Sequence, residues 1–253
     1  MIHTGAAVLM ILMAVLTAVI PIGVMLWLRR RGGRWLDFLA GGGTFFLFAM
    51  VLEQILHMLV LRSPLGQVLR GNIWLYGLYG GLAAGIFEET GRFLVFKLVL
   101  RNRRDRITAL GCGMGHGGTE AFLLLGVTYL NNLYLLFALA NGAALAPELA
   151  SAAERLAEMP LTIYLWAGLE RAIAVVFHIA MSVLVFTAVT RPGKRWLFPT
   201  AVLLHGALDF TAVVSAAYLP AAAVEALAAA WALAAVWLAA GQYKNLPQTP
   251  QNP

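Results

Sequence analysis

Two helix-spaced pairs of an imidazole and a carboxylate stand in strongly apolar surroundings, His116 and Glu120 in GHGGTEA and His205 and Asp209 in HGALDF. At i, i+4 both members share one helix face. Each pair can therefore chelate a cation, or fix an imidazole through its second nitrogen. IFEETGRF adds the adjacent carboxylates Glu88 and Glu89, with Arg92 at i+4 from the first. That spacing sets Glu88 beside Arg92 and turns Glu89 about 100° away, so one carboxylate is held ionised and the other is left free to work. Glu170 and His178 lie on a further apolar stretch. A buried salt bridge is the competing account of Glu88 and Arg92, and a hydrogen-bonded core histidine that of His178 or His57 taken singly.

The elements that must position these groups are membrane helices. Of the 253 residues 61% are hydrophobic and only 12% charged, about half the charge of an ordinary soluble domain. Apolar runs of spanning length fall at 6–28, 36–61, 74–99, 107–130, 161–189, 197–219 and 221–240. The chain reads as an all-α polytopic transmembrane helical bundle of seven or eight helices. It forms one integral membrane domain over 1–243, with the site helices at about 74–100, 107–130, 161–189 and 197–219, and a disordered tail at 244–253. No length remains for a soluble domain, which excludes a soluble enzyme, and alternating strands are too few for a barrel. The formal charge of +6 sits in short interhelical loops, so it reports topology and not a nucleic-acid partner. The stretch 133–146, bounded by Asn131, Asn132 and Pro147, is too short for a crossing and reads as re-entrant or interfacial. ELASAAERLAEM at 148–159 is amphipathic and reads as a surface helix. MIHTGAAVLM lacks the basic start of a secretory signal, so the first span is retained. Cys112, the single cysteine, has no disulfide or metal-knuckle partner.

With seven crossings, Arg29–Arg34, Arg101–Arg106, Arg191–Arg195 and Lys244 share one side, where twelve basic residues face three (Arg62, Arg70 and Arg155) on the other. The positive-inside rule then places the chain in a bacterial-type cytoplasmic membrane with its N-terminus outside and its C-terminus in the cytoplasm. Each charge at mid-bilayer costs roughly 2.5 to 3.5 kcal/mol. Even so, Glu88 and Glu89 lie past the middle of 74–99, His116 and Glu120 near the middle of 107–130, and His205 and Asp209 near the middle of 197–219. Glu170 and His178 bracket the middle of 161–189, so four helices bring acids and imidazoles to one buried layer, where bundles build metal or proton sites. Glu53 and His57, also at i, i+4, stay outside this core set. The glycine run GCGMGHGG lacks the GK[ST] ending of a phosphate loop. Together with Gly80, Gly81 and Gly85 it reads as a close-packing surface.

Carboxylates and histidines in a dry layer can activate water, so intramembrane peptide hydrolysis is the natural candidate. HExxH is absent, Asp209 is the one deep aspartate, and no serine lies in a GxSG turn. Ser182, at i+4 from His178, is a weak dyad. The order EETGR (Glu88 to Arg92), GMGHGGTEA, ERAIAVVFHIAMS (Glu170 to Ser182) and HGALDF resembles the YhfC-type family of intramembrane metalloproteases, relatives of PrsW and of the type II CAAX prenyl endopeptidases. The resemblance implies proteolysis within or beside the bilayer, with Glu88 or Glu89 as the base that activates water. It also implies a divalent metal or an oxyanion held by His116 or Glu120, His178 and His205, with Asp209 orienting or assisting. Nitrogen and oxygen ligands suit zinc. EExxR is closer to the EExxK of the PrsW type than to the CAAX-type EExxxR, and the CAAX-type FxxxH is absent, so prenylated substrates are not implied. The resulting expectation is an endopeptidase with lipid and a membrane-associated protein or peptide as its partners, its site opening towards the cytoplasm. An ion- or proton-coupled transporter, or a non-catalytic scaffold, would draw on the same buried groups.

Overall fold

A computed structural model describes residues 4–248. Among these the chain forms nine helices and no strand: α1 Thr4–Arg29, α2 Trp35–Arg62, α3 Pro64–Arg70, α4 Ile73–Leu94, α5 Arg106–Ala140, α6 Pro147–Glu158, α7 Leu161–Thr190, α8 Leu197–Ala216 and α9 Ala221–Tyr243. Six of them, α1, α2, α5, α7, α8 and α9, are long and apolar enough to cross a membrane. Helix α4, 22 residues extended by a π-helical stretch at Val95–Val99, reaches about 40 Å at 1.5 Å per residue. It fails only on composition, because Glu88, Glu89, Arg92 and Lys97 interrupt its hydropathy. Large apolar side chains such as Leu59, Leu203, Leu233 and Trp237 are exposed around the outside, a surface matched by hydrocarbon and not by water.

Local chemistry fixes the helix ends. Asn72 caps α4 by accepting from the Trp74 and Leu75 amides at 3.0 and 3.3 Å, and Asp105 caps α5 through the Thr108 amide at 3.2 Å. Pro64 and Pro147 open α3 and α6 in the first turn, where a missing N–H is harmless.

Two sequence expectations change. The stretch 133–146 is not re-entrant, because α5 runs unbroken from Arg106 to Ala140 and only Asn141–Ala146 is loop. Asn131 and Asn132 stay helical, since their side chains reach the surface and break no backbone bond. The tail expected to be disordered begins packed: Leu246 is 4% exposed in the main core, and the Arg106 amide donates to Pro247 O at 3.0 Å. One apolar side chain in an otherwise polar tail is enough to seat it, and 249–253 lie outside the described residues. The amphipathic segment is helical as expected, and α6 buries Ala153.

The basic loops do meet at one end of the bundle. Arg103 reaches Asp37 at 3.3 Å, and the Arg106 guanidinium lies over the Tyr243 ring at 5.1 Å. The other end is closed by α6, where Tyr164 donates to Leu156 O at 3.2 Å. Between these ends α4 lies along α8, and α5 packs between α2 and α7. Both contacts are backbone-close. A Cβ on Gly115 would land on the Phe38 carbonyl, and one on Gly81 would land on the Gly206 carbonyl. Gly115→Leu and Gly81→Leu should each lower the thermal unfolding midpoint in detergent by the equivalent of about 1–3 kcal/mol, whereas Gly80→Leu, which faces open space, should leave it nearly unchanged.

Candidate active site

The glycine-lined crossings bring polar residues of four helices into one buried layer. Gly113 and Gly117 let α7 approach α5 until the Ile179 and Val175 Cα atoms would lie 2.6 and 3.0 Å from an added Cβ. His178 thereby stacks beside His116, with ring centroids 4.7 Å apart. The glycine run is thus a packing surface, as its sequence suggests. Three π-helical stretches, Phe45–Glu53, Val95–Val99 and Phe122–Val127, begin one, three and two residues after Thr44, Arg92 and Glu120. Such widened turns gather at functional sites, where they re-aim the residues beside them.

At the centre Glu88, His116, Glu120 and His178 each offer one ligand atom, all within 4.8 Å of one another and all buried. Glu88 Oε2 lies 2.8 Å from His116 Nε2. On the other side of that ring, Thr44 Oγ1 stands 3.2 Å from Nδ1 while donating its own proton to Gly41 O at 2.6 Å. A hydroxyl has one proton, so Thr44 accepts from Nδ1–H and the lone pair of Nε2 points at the carboxylate. Two acceptors at 2.8 Å require a proton or a metal cation between them. Glu120 Oε2 is 2.5 Å from His178 Nε2 but is in no aligned hydrogen bond among the described residues. Two carboxylates and two neutral imidazoles carry a charge of −2, which one divalent cation cancels. The donor set fits such an ion.

A second ring holds this set in place. Arg92, with no exposed surface, pairs with Glu89 and donates to His178 Nδ1 at 3.1 Å. An arginine only donates, so the neutral His178 carries its proton on Nε2, and it would bind a cation there as a neutral imidazole only in the other tautomer, with the proton on Nδ1 and Arg92 turned off that nitrogen. Glu89 also receives His205 Nδ1 at 2.8 Å, and His205 Nε2 lies 3.9 Å from Glu88 and 3.6 Å from Asp209. Arg171 binds both Glu120 and Glu170.

A cavity of about 600 Å³ reaches this layer between α7, α8 and α9, and Glu88, Glu120, His178, His205 and Asp209 line its inner part. Its other lining residues include Ile163, Leu219 and Ala221, at the end away from the basic loops. The cavity thus lies on the side of the layer opposite the basic loops. The cavity occupies the N-terminal half of α7 and the C-terminal half of α8, and the other halves of those helices are filled by Phe186, Leu184 and Leu197.

A family model described as YhfC intramembrane metalloprotease matches residues 16–229. The chain belongs to that family. It is 32% identical over 226 residues, 85% of this chain and 86% of the relative, to the uncharacterized membrane protein YhfC of Bacillus subtilis (strain 168). No solved structure matches it.

In this YhfC-family chain the residues singled out by spacing, Glu88, Glu89, Arg92, His116, Glu120, His178, His205 and Asp209, all converge. Their partnerships differ from the spacing argument. Arg92 pairs with Glu89 at i+3 and not with Glu88 at i+4, because Glu88 is drawn to His116 on the neighbouring helix. His205 falls outside the four-donor cluster. Ser182 Oγ is buried without a partner and forms no dyad. His57 bonds Glu53 at 3.1 Å and Tyr79 at 2.8 Å, and Glu53 lies near enough to Glu88, His205 and Asp209 to interact with them electrostatically. Thr44 was missed, since a threonine in an apolar run carries no signal until the α2–α5 crossing sets it beside His116. Thr44→Val should lower the affinity for a divalent cation by about 10- to 100-fold, the usual loss when the partner of a ligating histidine is removed, while Thr44→Ser keeps it. Competition with a chromophoric chelator reads both.

Proposed function

We propose that the protein is an intramembrane endopeptidase in which Glu88 activates water against a membrane-associated protein or peptide. The convergence of Glu88, His116, Glu120 and His178 at the inner end of an apolar cavity carries this reading. His116, His178 and Glu120 would hold a divalent cation, zinc by their ligand types, in the His₂Glu combination that leaves one position open. When bound, the cation supplies Lewis-acid polarisation of the scissile carbonyl and lowers the pKa of adjacent water. Glu88 faces both the cavity and His116, so it can accept the proton of the attacking water and pass it to the departing amine. Glu89 does not fit the role of base, because it is paired with Arg92 and His205 and does not line the cavity. Its part is to hold those two groups. His205, supported by Glu89 on one nitrogen and near Asp209 on the other, faces the position of the developing oxyanion.

By the positive-inside rule, the end carrying the basic loops is cytoplasmic and the cavity opens to the opposite side. Cys112 is wholly buried, which makes cysteine mapping simple. In intact cells Ala217→Cys should react with an impermeant maleimide, and Pro192→Cys only after lysis. The reverse pattern would invert the topology.

The reaction is tested by mass spectrometry of new protein termini in membranes of cells expressing wild type or Glu88→Gln at equal levels. Termini generated by wild type should fall by about 10²- to 10⁴-fold in the variant, the range for loss of a general base. If correctly inserted wild type generates none, the protease reading fails.

A further inference from the structure

Glu225, in the second turn of α9, is 8% exposed and lines the cavity. Its Oε2 has no hydrogen-bond partner among the described residues, where Glu225 also forms no ion pair. Glu170 and Asp209 line the same cavity. The one arginine there, Arg171, has its guanidinium committed to Glu120 and Glu170. Glu170 is thus paired with Arg171 and Asp209 lies beside His205, which leaves Glu225 as the lining acid without an ion pair among the described residues. The surrounding wall is apolar, with Ile163, Trp166, Ala212, Val213, Leu219 and Val224. A carboxylate left unpaired in such a place is costly, and an incoming cation removes that cost.

We propose that the cavity is a polypeptide cleft with a cationic subsite, in which Glu225 receives a lysine or arginine side chain from an apolar segment whose scissile bond lies over Glu88 and His178. This rests on the protease reading and adds the substrate class. Glu225 lies about 6 Å along α9 from its start, at 1.5 Å per residue. That depth is close to the bilayer edge, where the long stem of lysine or arginine lies along apolar surface and its charge reaches a polar group. Membrane spans carry most of their basic residues on the cytoplasmic side. A basic residue at the end away from the basic loops is thus a discriminating mark, and a neutral apolar segment gains nothing from Glu225.

The test uses the full chain carrying Glu88→Gln, in lipid nanodiscs, so that binding is read without turnover. The probes are two dansylated 20-residue Leu/Ala peptides that differ in one position near one end, Lys in one and Gln in the other. Energy transfer from Trp166, taken as the difference from a Trp166→Phe control, reports occupancy of the cleft. The Lys peptide should bind about tenfold or more tighter than the Gln peptide. Glu225→Gln should abolish that preference, and Glu225→Asp should retain part of it, with the thermal midpoint unchanged. Equal affinities for the two peptides, or a preference that survives Glu225→Gln, would overturn the subsite and leave Glu225 a neutral packing group. Lys-selective binding without any glutamate-dependent termini would refute the protease reading alone. Such termini together with equal peptide binding would refute the subsite alone.

Discussion

A guanidinium with no exposed surface at the centre of a membrane bundle persists only where its charge is met, and Arg92 is held by Glu89 on its own helix and His178 on α7, while its Nε has no hydrogen-bond partner among the described residues. Glu89 in turn accepts from His205 on α8. One ion pair therefore ties three helices together and sets the protonated nitrogen of two imidazoles, because arginine can only donate and a carboxylate can only accept. Removing either partner would strand a charge in low dielectric, at a cost of several kcal/mol. This ties the stability of the layer to its chemistry, and with Arg92 taken by Glu89 it leaves Glu88 to face His116 and the cavity.

The packing that makes this possible is carried by glycine. Lipid tails are as apolar as leucine, so helix association in a membrane depends on close van der Waals contact and on hydrogen bonds between helices. Gly115 against Phe38 and Gly81 against Gly206 bring backbones together where any Cβ would collide. The same approach carries Thr44 to His116 and Glu89 to His205. The π-helical stretches beside Thr44, Arg92 and Glu120 lie at these crossings. They mark where the regular helix gives way so that a side chain can point inward.

The layer is asymmetric along the membrane normal. Towards the basic end it is sealed by the large buried core around Leu184 and Phe186, and towards the other end α7, α8 and α9 diverge into the cavity. A reaction that consumes water needs a wet approach and a dry chemical step. An apolar cleft with acids at its mouth and paired donors at its base meets both requirements.

Composition alone determined that this chain is a helical membrane bundle, and spacing with depth pointed to polar residues that the fold gathers into one layer. Hydropathy and the i, i+4 repeat are local properties, and a charge in hydrocarbon announces itself wherever the chain folds. The same local information put a break at Asn131 and Asn132, where helix continuity depends on where those side chains exit. It also misread the first residues of the tail, seated by Leu246. Partnership was beyond it altogether. Whether Arg92 takes Glu88 or Glu89, whether Thr44 matters, and to which end the cavity opens are settled by groups on other helices. Those groups come within reach only when the glycine crossings close, so tertiary structure alone decided them.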